Sequence, residues 1–114
     1  MNRKTVLHGL VIALIATWPA IAMAQGKVAI TSPIDGSTLD ALDENQLVYE
    51  VEPGPRGDHV HVYVDGKEVG ILRKLKGSYL LESLTPGNRS LCIKVVNKAH
   101  VPIGIEKCVR VTVK

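Results

Sequence analysis

Apolar and polar residues alternate along several short stretches of this chain, and the clearest example lies between residues 58 and 66. This stretch, DHVHVYVDG, places its valines on one face of an extended strand and its two histidines and its tyrosine on the other. The closing Asp65-Gly66 pair is typical of a hairpin turn, because both residues tolerate positive φ. The pattern therefore predicts a strand with one apolar face and one face that carries two imidazoles.

Similar stretches recur along the rest of the chain, separated by clusters of Pro and Gly that favour turns. They comprise residues 27–32, 46–52, 67–73, 78–82, 90–96 and 105–114. Residues 38–43 fit either a short edge strand or a loop, and no stretch after residue 24 has a helical period. About seven short strands of this kind predict an all-β fold, an immunoglobulin-like antiparallel β-sandwich formed by residues 25–114 as one domain. The expected core side chains are Leu47, Tyr49, Val51, Leu91, Ile93, Val95, Val109, Val111 and Val113.

The first 24 residues differ from the rest in composition. Two basic residues precede a nearly unbroken apolar run over residues 6–16, and Ala22-Met23-Ala24 has the small-x-small pattern of a cleavage site. We therefore predict a secretory signal peptide over residues 1–24, and a periplasmic or secreted product that does not contact the membrane after cleavage. An uncleaved membrane anchor is the alternative, although the apolar run is short for a spanning helix.

The charged residues are distributed unevenly. The whole chain has 14 basic and 11 acidic residues, and loss of Arg3 and Lys4 with the signal peptide leaves 12 basic against 11, so the composition does not indicate nucleic-acid binding. Residues 35–58 hold seven acidic residues and one basic residue, whereas residues 67–114 hold ten basic and three acidic residues. This separation fits either charge pairing within the domain or docking to a charged protein partner in the cell envelope.

The two cysteines fit the register of the last two strands. An exported chain with two cysteines is expected to form one disulfide. If Cys92 and Cys108 face each other across an antiparallel pair, the hairpin is centred on residue 100, and both cysteines lie on the face opposite the core. The predicted disulfide therefore fixes the register of the last hairpin and places His100 at its tip.

The three histidines that follow the predicted signal peptide are expected at one end of the sandwich. His59 begins the third long strand, His61 follows on the same face, and His100 lies in the last loop; in an immunoglobulin-like sandwich these regions share one end. Three imidazoles in an exported protein suit Cu(II) or Zn(II), and Asp58 could add a carboxylate. The competing interpretation is that all three are solvated surface residues without a ligand.

Other functions find less support in the sequence. The serines have no base near them in the strand order, no glycine-rich phosphate loop is present, and only three tyrosines remain as aromatic residues after residue 24. We therefore do not expect an enzyme. The two functions that remain are a non-catalytic metal-binding protein with His59, His61 and His100 as ligands, and a protein–protein interaction module without a metal site.

Three segments resemble small bacterial periplasmic immunoglobulin-like proteins of uncharacterised function: DHVHVYVDG at 58–66, LTPGNRSLCIKVVN at 84–97 and NKAHVPI at 97–103. Those proteins have a His-x-His strand, a Pro-Gly turn and an Asn-x-x-His-x-Pro loop, and some are suspected of binding metal. The resemblance implies the same fold and carries His59, His61 and His100 over as ligands. The chain departs at Arg89, where similar proteins often have a histidine.

Overall fold

Alternating valine-rich stretches form strands throughout residues 25–114, the part of the chain that the computed structural model describes. Branched aliphatic side chains favour extended backbone because they pack well on a pleated surface. The strands are β1 (Lys27–Ser32), β2 (Thr38–Leu39), β3 (Gln46–Glu52), β4 (His59–Val64), β5 (Lys67–Leu72), β6 (Lys76–Leu80), β7 (Gly87–Val96) and β8 (Pro102–Val113). The signal peptide predicted for residues 1–24 lies outside the described residues. Within residues 25–114, no helix has the length and apolarity needed to cross a membrane.

The strands form two sheets that pack face to face. One has the order β1-β3-β6, and the other has the order β2-β8-β7-β4-β5. Residues 38–43, for which the sequence fits either a short edge strand or a loop, include strand β2, whose two residues pair in parallel with the end of β8. The remaining pairs are antiparallel. The predicted antiparallel sandwich is confirmed, with eight strands rather than about seven.

The hydrophobic core lies between the two sheets. All nine side chains assigned to it from alternation are buried, and Val60 and Val62 of β4 join them with no exposed surface. Strand β4 therefore directs its valines inward, as the sequence predicts. Its histidines consequently point to the outer face of the five-stranded sheet.

Strands β6, β7 and β8 begin earlier than predicted. Strand β7 begins at Gly87 rather than residue 90, and β8 begins at Pro102 rather than residue 105. The alternation signal fades in these segments, but backbone pairing continues from Gly87–Val113 at one end to Val96–Pro102 at the other. Strand β6 likewise begins at Lys76, where it pairs with β3.

The disulfide joins the two strands that the sequence indicated. Cys92 and Cys108 are directly opposite each other in the β7–β8 pair and are bonded. Cys92 is buried and Cys108 is exposed on the outer face of the sheet. The predicted pairing is confirmed, and it fixes the register of the hairpin whose tip carries His100.

Replacing both cysteines with alanine should lower the free energy of unfolding by about 3 kcal/mol, because the bond closes a loop of roughly 15 residues in the unfolded chain. Urea unfolding of the metal-free protein measures this loss. The change should appear in the denaturation midpoint. Similar midpoints for the variant and the parent would contradict the expected contribution.

Candidate metal-binding site

Strand β4 places His59 and His61 side by side on the outer face of the five-stranded sheet. Because they are two residues apart on one strand, both side chains leave the backbone in the same direction. Their exposed fractions are 1% and 2%, so the competing interpretation of solvated surface residues does not hold for these two histidines. The ring of His59 packs against the rings of His61 and His100, and carboxylates lie beside both β4 histidines, Asp58 at His59 and Glu68 at His61.

The third imidazole comes from the loop between β7 and β8. His100 is exposed and has the left-handed backbone conformation, with φ of 65°. Asn97 organises this loop: its carbonyl accepts a hydrogen bond from the His100 N–H at 2.9 Å, and its side-chain oxygen accepts from Ala99 and Val101. Asn97 also donates its own N–H to the Val101 carbonyl. These contacts close the loop and direct the His100 ring over β4.

The three rings converge on one point through one nitrogen each. Nε2 of His59 lies 3.1 Å from Nε2 of His61 and 3.2 Å from Nδ1 of His100. Nε2 of His61 lies 3.0 Å from Nδ1 of His100. The three histidines that the sequence singled out therefore form one cluster, in which His100 lies 39–41 positions after the two histidines of β4.

Each β4 histidine has a carboxylate against its remaining nitrogen. Nδ1 of His59 is hydrogen-bonded to Oδ2 of Asp58 at 2.8 Å. Nδ1 of His61 lies 2.7 Å from Oε1 of Glu68, a close polar contact that does not have hydrogen-bond geometry. A ring nitrogen facing a carboxylate oxygen at these distances carries the proton, because two lone pairs would repel each other. In the neutral rings, both Nε2 atoms then present lone pairs to the cluster.

With these tautomers, the centre of the neutral cluster has more hydrogen-bond acceptors than donors. Two Nε2 lone pairs face each other at 3.1 Å. The single N–H that a neutral His100 can place at Nδ1 satisfies one of them well, and the other keeps a buried, unpaired acceptor. A cation at the centre removes this conflict, since all three nitrogens can then direct lone pairs at it.

The carboxylate of Asp58 does not face the three converging nitrogens. The sequence allows it as a further ligand, but it bonds the Nδ1 edge of His59, away from the three converging nitrogens. The hydrogen bond with His59, aided by the nearby charges of His59, Arg73 and Lys98, lowers the pKa of Asp58 below its usual 3.8 against the opposing effect of desolvation. Asp58 thus orients the His59 ring rather than facing the cluster.

The lowered pKa of Asp58 predicts a specific pH dependence of stability. A carboxylate whose pKa is lower in the folded state stabilises the protein above its unfolded pKa, and this contribution is lost as the pH falls through the folded value. For the metal-free protein, the difference in urea midpoint between the parent and Asp58→Asn should be present at pH 5–6 and should shrink below pH 3.8. The exposed Asp43→Asn serves as the control. A difference that grows on acidification would contradict this assignment.

Glu68 is the site residue that the sequence prediction missed. The hairpin pairs Tyr63 with Glu68, so Glu68 lies on the same face of the sheet as Tyr63 and His61. The Asp65-Gly66 turn already implies this pairing, since a two-residue hairpin fixes which residues face each other. The signal was therefore present in the sequence. Arg89, in contrast, lies at the opposite end of the sandwich, bonded to Asp65 and Thr85.

The separated charges are mostly not paired with each other. Among residues 25–114, the single ion pair between the acidic stretch 35–58 and the basic stretch 67–114 joins Arg73 to Asp58 at 3.6 Å. Arg73 is largely exposed and lies on the outside of the Asp58–His59 pair. Charge pairing within the domain therefore accounts for little of the asymmetry.

Comparisons with known proteins show the fold. No protein-family model matches the chain, and no curated protein matches it. Among solved structures, the fibronectin(III)-like modules of Clostridium thermocellum CbhA match with a TM-score of 0.64 and 17% identity, over 76% of this chain and 96% of the module. The extracellular domain of a candidate one-component system from B. thetaiotaomicron matches with a TM-score of 0.50 and 18% identity, over 77% of this chain and 15% of that one. The chain has a fibronectin type III-like sandwich.

Proposed function

We propose that this protein binds one divalent transition-metal ion, Cu(II) or Zn(II), through His59, His61 and His100. The observation that carries the proposal is the convergence of three ring nitrogens within 3.0–3.2 Å of one another. Tetrahedral ligands about 2.0–2.1 Å from a metal are separated by about 3.3 Å, so this spacing fits an ion at the centre. Imidazole nitrogen is a preferred ligand of both metals.

The carboxylates of Asp58 and Glu68 support a divalent ion. Metal-binding histidines commonly donate their second N–H to a carboxylate, which fixes the ring and raises its basicity. Here Asp58 accepts such a bond from His59 at 2.8 Å, and the Glu68 carboxylate lies 2.7 Å from the second ring nitrogen of His61. Two negative charges next to the rings balance a dication. The chain offers no thioether after residue 24, and both thiols are in the disulfide, so soft ligands for Cu(I) are not available from residues 25–114.

The predicted cell location fits this proposal. The disulfide indicates an oxidising compartment, and the signal peptide proposed for residues 1–24 would deliver the domain to the periplasm or the exterior. We propose that the domain acts there as a non-catalytic metal-binding protein. The resemblance to periplasmic proteins with His-x-His strands belongs to the same proposal.

Calorimetric titration of residues 25–114 with Cu(II) and Zn(II) at neutral pH tests the proposal. We expect saturation at one ion per chain with sub-micromolar affinity. Because imidazole must be deprotonated to bind metal, the affinity should fall as the pH is lowered. Absence of stoichiometric binding of either ion at neutral pH would refute the proposed function.

Replacing Asp58 with Asn or Glu68 with Gln should weaken metal binding about 10–100-fold, because each carboxylate orients a ligand rather than binding the ion. The stoichiometry should stay at one. Asp43→Asn removes a negative charge of the acidic stretch without touching the cluster and should leave the affinity unchanged. Equal losses in all three variants would show a general charge effect instead of ring orientation.

A second candidate function, a protein–protein interaction module, is favoured by the unpaired basic surface at the β5–β6 connection. Lys74 and Lys76 are exposed and make no ion pair with any of residues 25–114. Arg73 belongs to the same surface but contacts Asp58 and so is coupled to the metal cluster. If an acidic protein partner docks here, reversing Lys74 and Lys76 to Glu should abolish capture of that partner from periplasmic extract while leaving metal binding intact. Unchanged capture would exclude this surface.

A further inference from the structure

The spacing of the three converging nitrogens places the proposed ion outside the plane that passes through them. Nitrogens separated by 3.0–3.2 Å and bound at about 2.0–2.1 Å place an ion about 1 Å from the plane through them. A planar arrangement of three ligands would need separations of about 3.5 Å. All three protein ligands therefore lie on one side of the ion.

Residues 25–114 supply no fourth ligand among the side chains that commonly bind Zn(II) or Cu(II). No fourth His, Cys, Asp or Glu of this part of the chain joins the three-histidine cluster. Asp58 and Glu68 are held at the Nδ1 edges of the β4 rings, and both cysteines are in the disulfide. Zn(II) and Cu(II) take four or more ligands, and a protein site with three leaves a position for water or another small ligand.

Building on the proposed function, we infer that the bound ion keeps an exchangeable coordination position that holds water and accepts a small anion. His59 and His61 are buried, whereas His100 is exposed at the tip of the hairpin, so the His100 side is the route by which a small ligand would enter. The ligand class is a small monodentate donor such as azide, halide or hydroxide. The site then binds such ligands in addition to binding the metal ion.

Azide titration of the protein loaded with one equivalent of Cu(II) tests this inference. We expect an azide-to-copper charge-transfer band that saturates at one azide per copper. Pulsed EPR should count three imidazoles both before and after azide, because azide replaces water and no histidine. Lys98→Ala, which removes an exposed cation of the same loop, should still saturate at one azide per copper and so exclude binding of azide to that surface charge.

The outcomes separate this inference from the proposed function. Failure to load one copper per chain, seen before azide is added, would refute the metal site itself. Stoichiometric loading on three imidazoles with no new band in excess azide would overturn the open position alone. A band accompanied by loss of one imidazole would also overturn it, since azide would then be displacing His100 from a saturated ion.

Discussion

Replacement of His61 with alanine should reduce the affinity for Cu(II) or Zn(II) by more than about 100-fold, a larger loss than the roughly 10–100-fold expected for an orienting carboxylate. His61 supplies one of three converging nitrogens, and its Nε2 lies within 3.1 Å of both partners. Its loss leaves two ligands, one on β4 and one on a loop. Calorimetry at neutral pH measures the change, and the triple variant of His59, His61 and His100 should bind no ion stoichiometrically.

The control for this experiment must separate ligand loss from misfolding, because His61 is buried. His100→Ala provides it, since His100 is exposed and its removal leaves no internal cavity. Both single variants should lose affinity to a similar extent, and circular dichroism should show the β-sheet signal of the parent. A triple variant that binds metal as tightly as the parent would disprove the ligand assignment.

Zn(II) should raise the melting temperature of the domain by about 10–20 °C. At a free zinc concentration 100 times the dissociation constant, binding to the folded state alone adds about 2.7 kcal/mol, and each kcal/mol is worth about 4–8 °C in a domain of this size. The cluster is assembled from β4 and a loop about 40 residues later, so the unfolded chain cannot hold these ligands together. Differential scanning calorimetry with and without zinc measures the shift.

A chelator should reverse this thermal shift completely, and the triple histidine variant should show none. The alanine variant of both cysteines is a useful comparison. Its melting temperature should be lower than that of the parent, but zinc should raise it by a similar amount, because the disulfide and the cluster join different pairs of elements. An equal shift in the triple histidine variant would place the zinc elsewhere in the protein.

Much of the fold could be predicted because the strands direct one face at the core, buried in β3, β4, β7 and β8 and partly buried in the others. Period-two alternation identifies such strands, and it assigned Leu47, Ile93 and Val111 to the core correctly. It also fixed the register of Cys92 and Cys108. Alternation fails at strand ends, where side chains are exposed on both faces but backbone pairing continues, as in β7 before Ser90.

The convergence of the histidines was predictable from topology, but their environment was not. That His59 and His100 share one end follows from the order of strands in the sandwich. The burial of His59 and His61 depends on the path of the β7–β8 loop, which Asn97 sets through side-chain and backbone hydrogen bonds. Such a path is a property of one loop and leaves no periodic signal in the sequence.

The positions of residues 25 and 114 in the sandwich determine where an affinity tag can be fused without competing for the metal. Strand β1 starts beside the loop that leads into Asp58, since Lys27 pairs with Glu52 and Gly26 touches Gly54. Lys114 is hydrogen-bonded to Leu39 at the other end of the sandwich. The ten residues of β7 span the distance between the two ends, which is about 30 Å. A polyhistidine tag fused before residue 25 would bring rival imidazoles to the cluster, whereas a tag after Lys114 would begin at the far end.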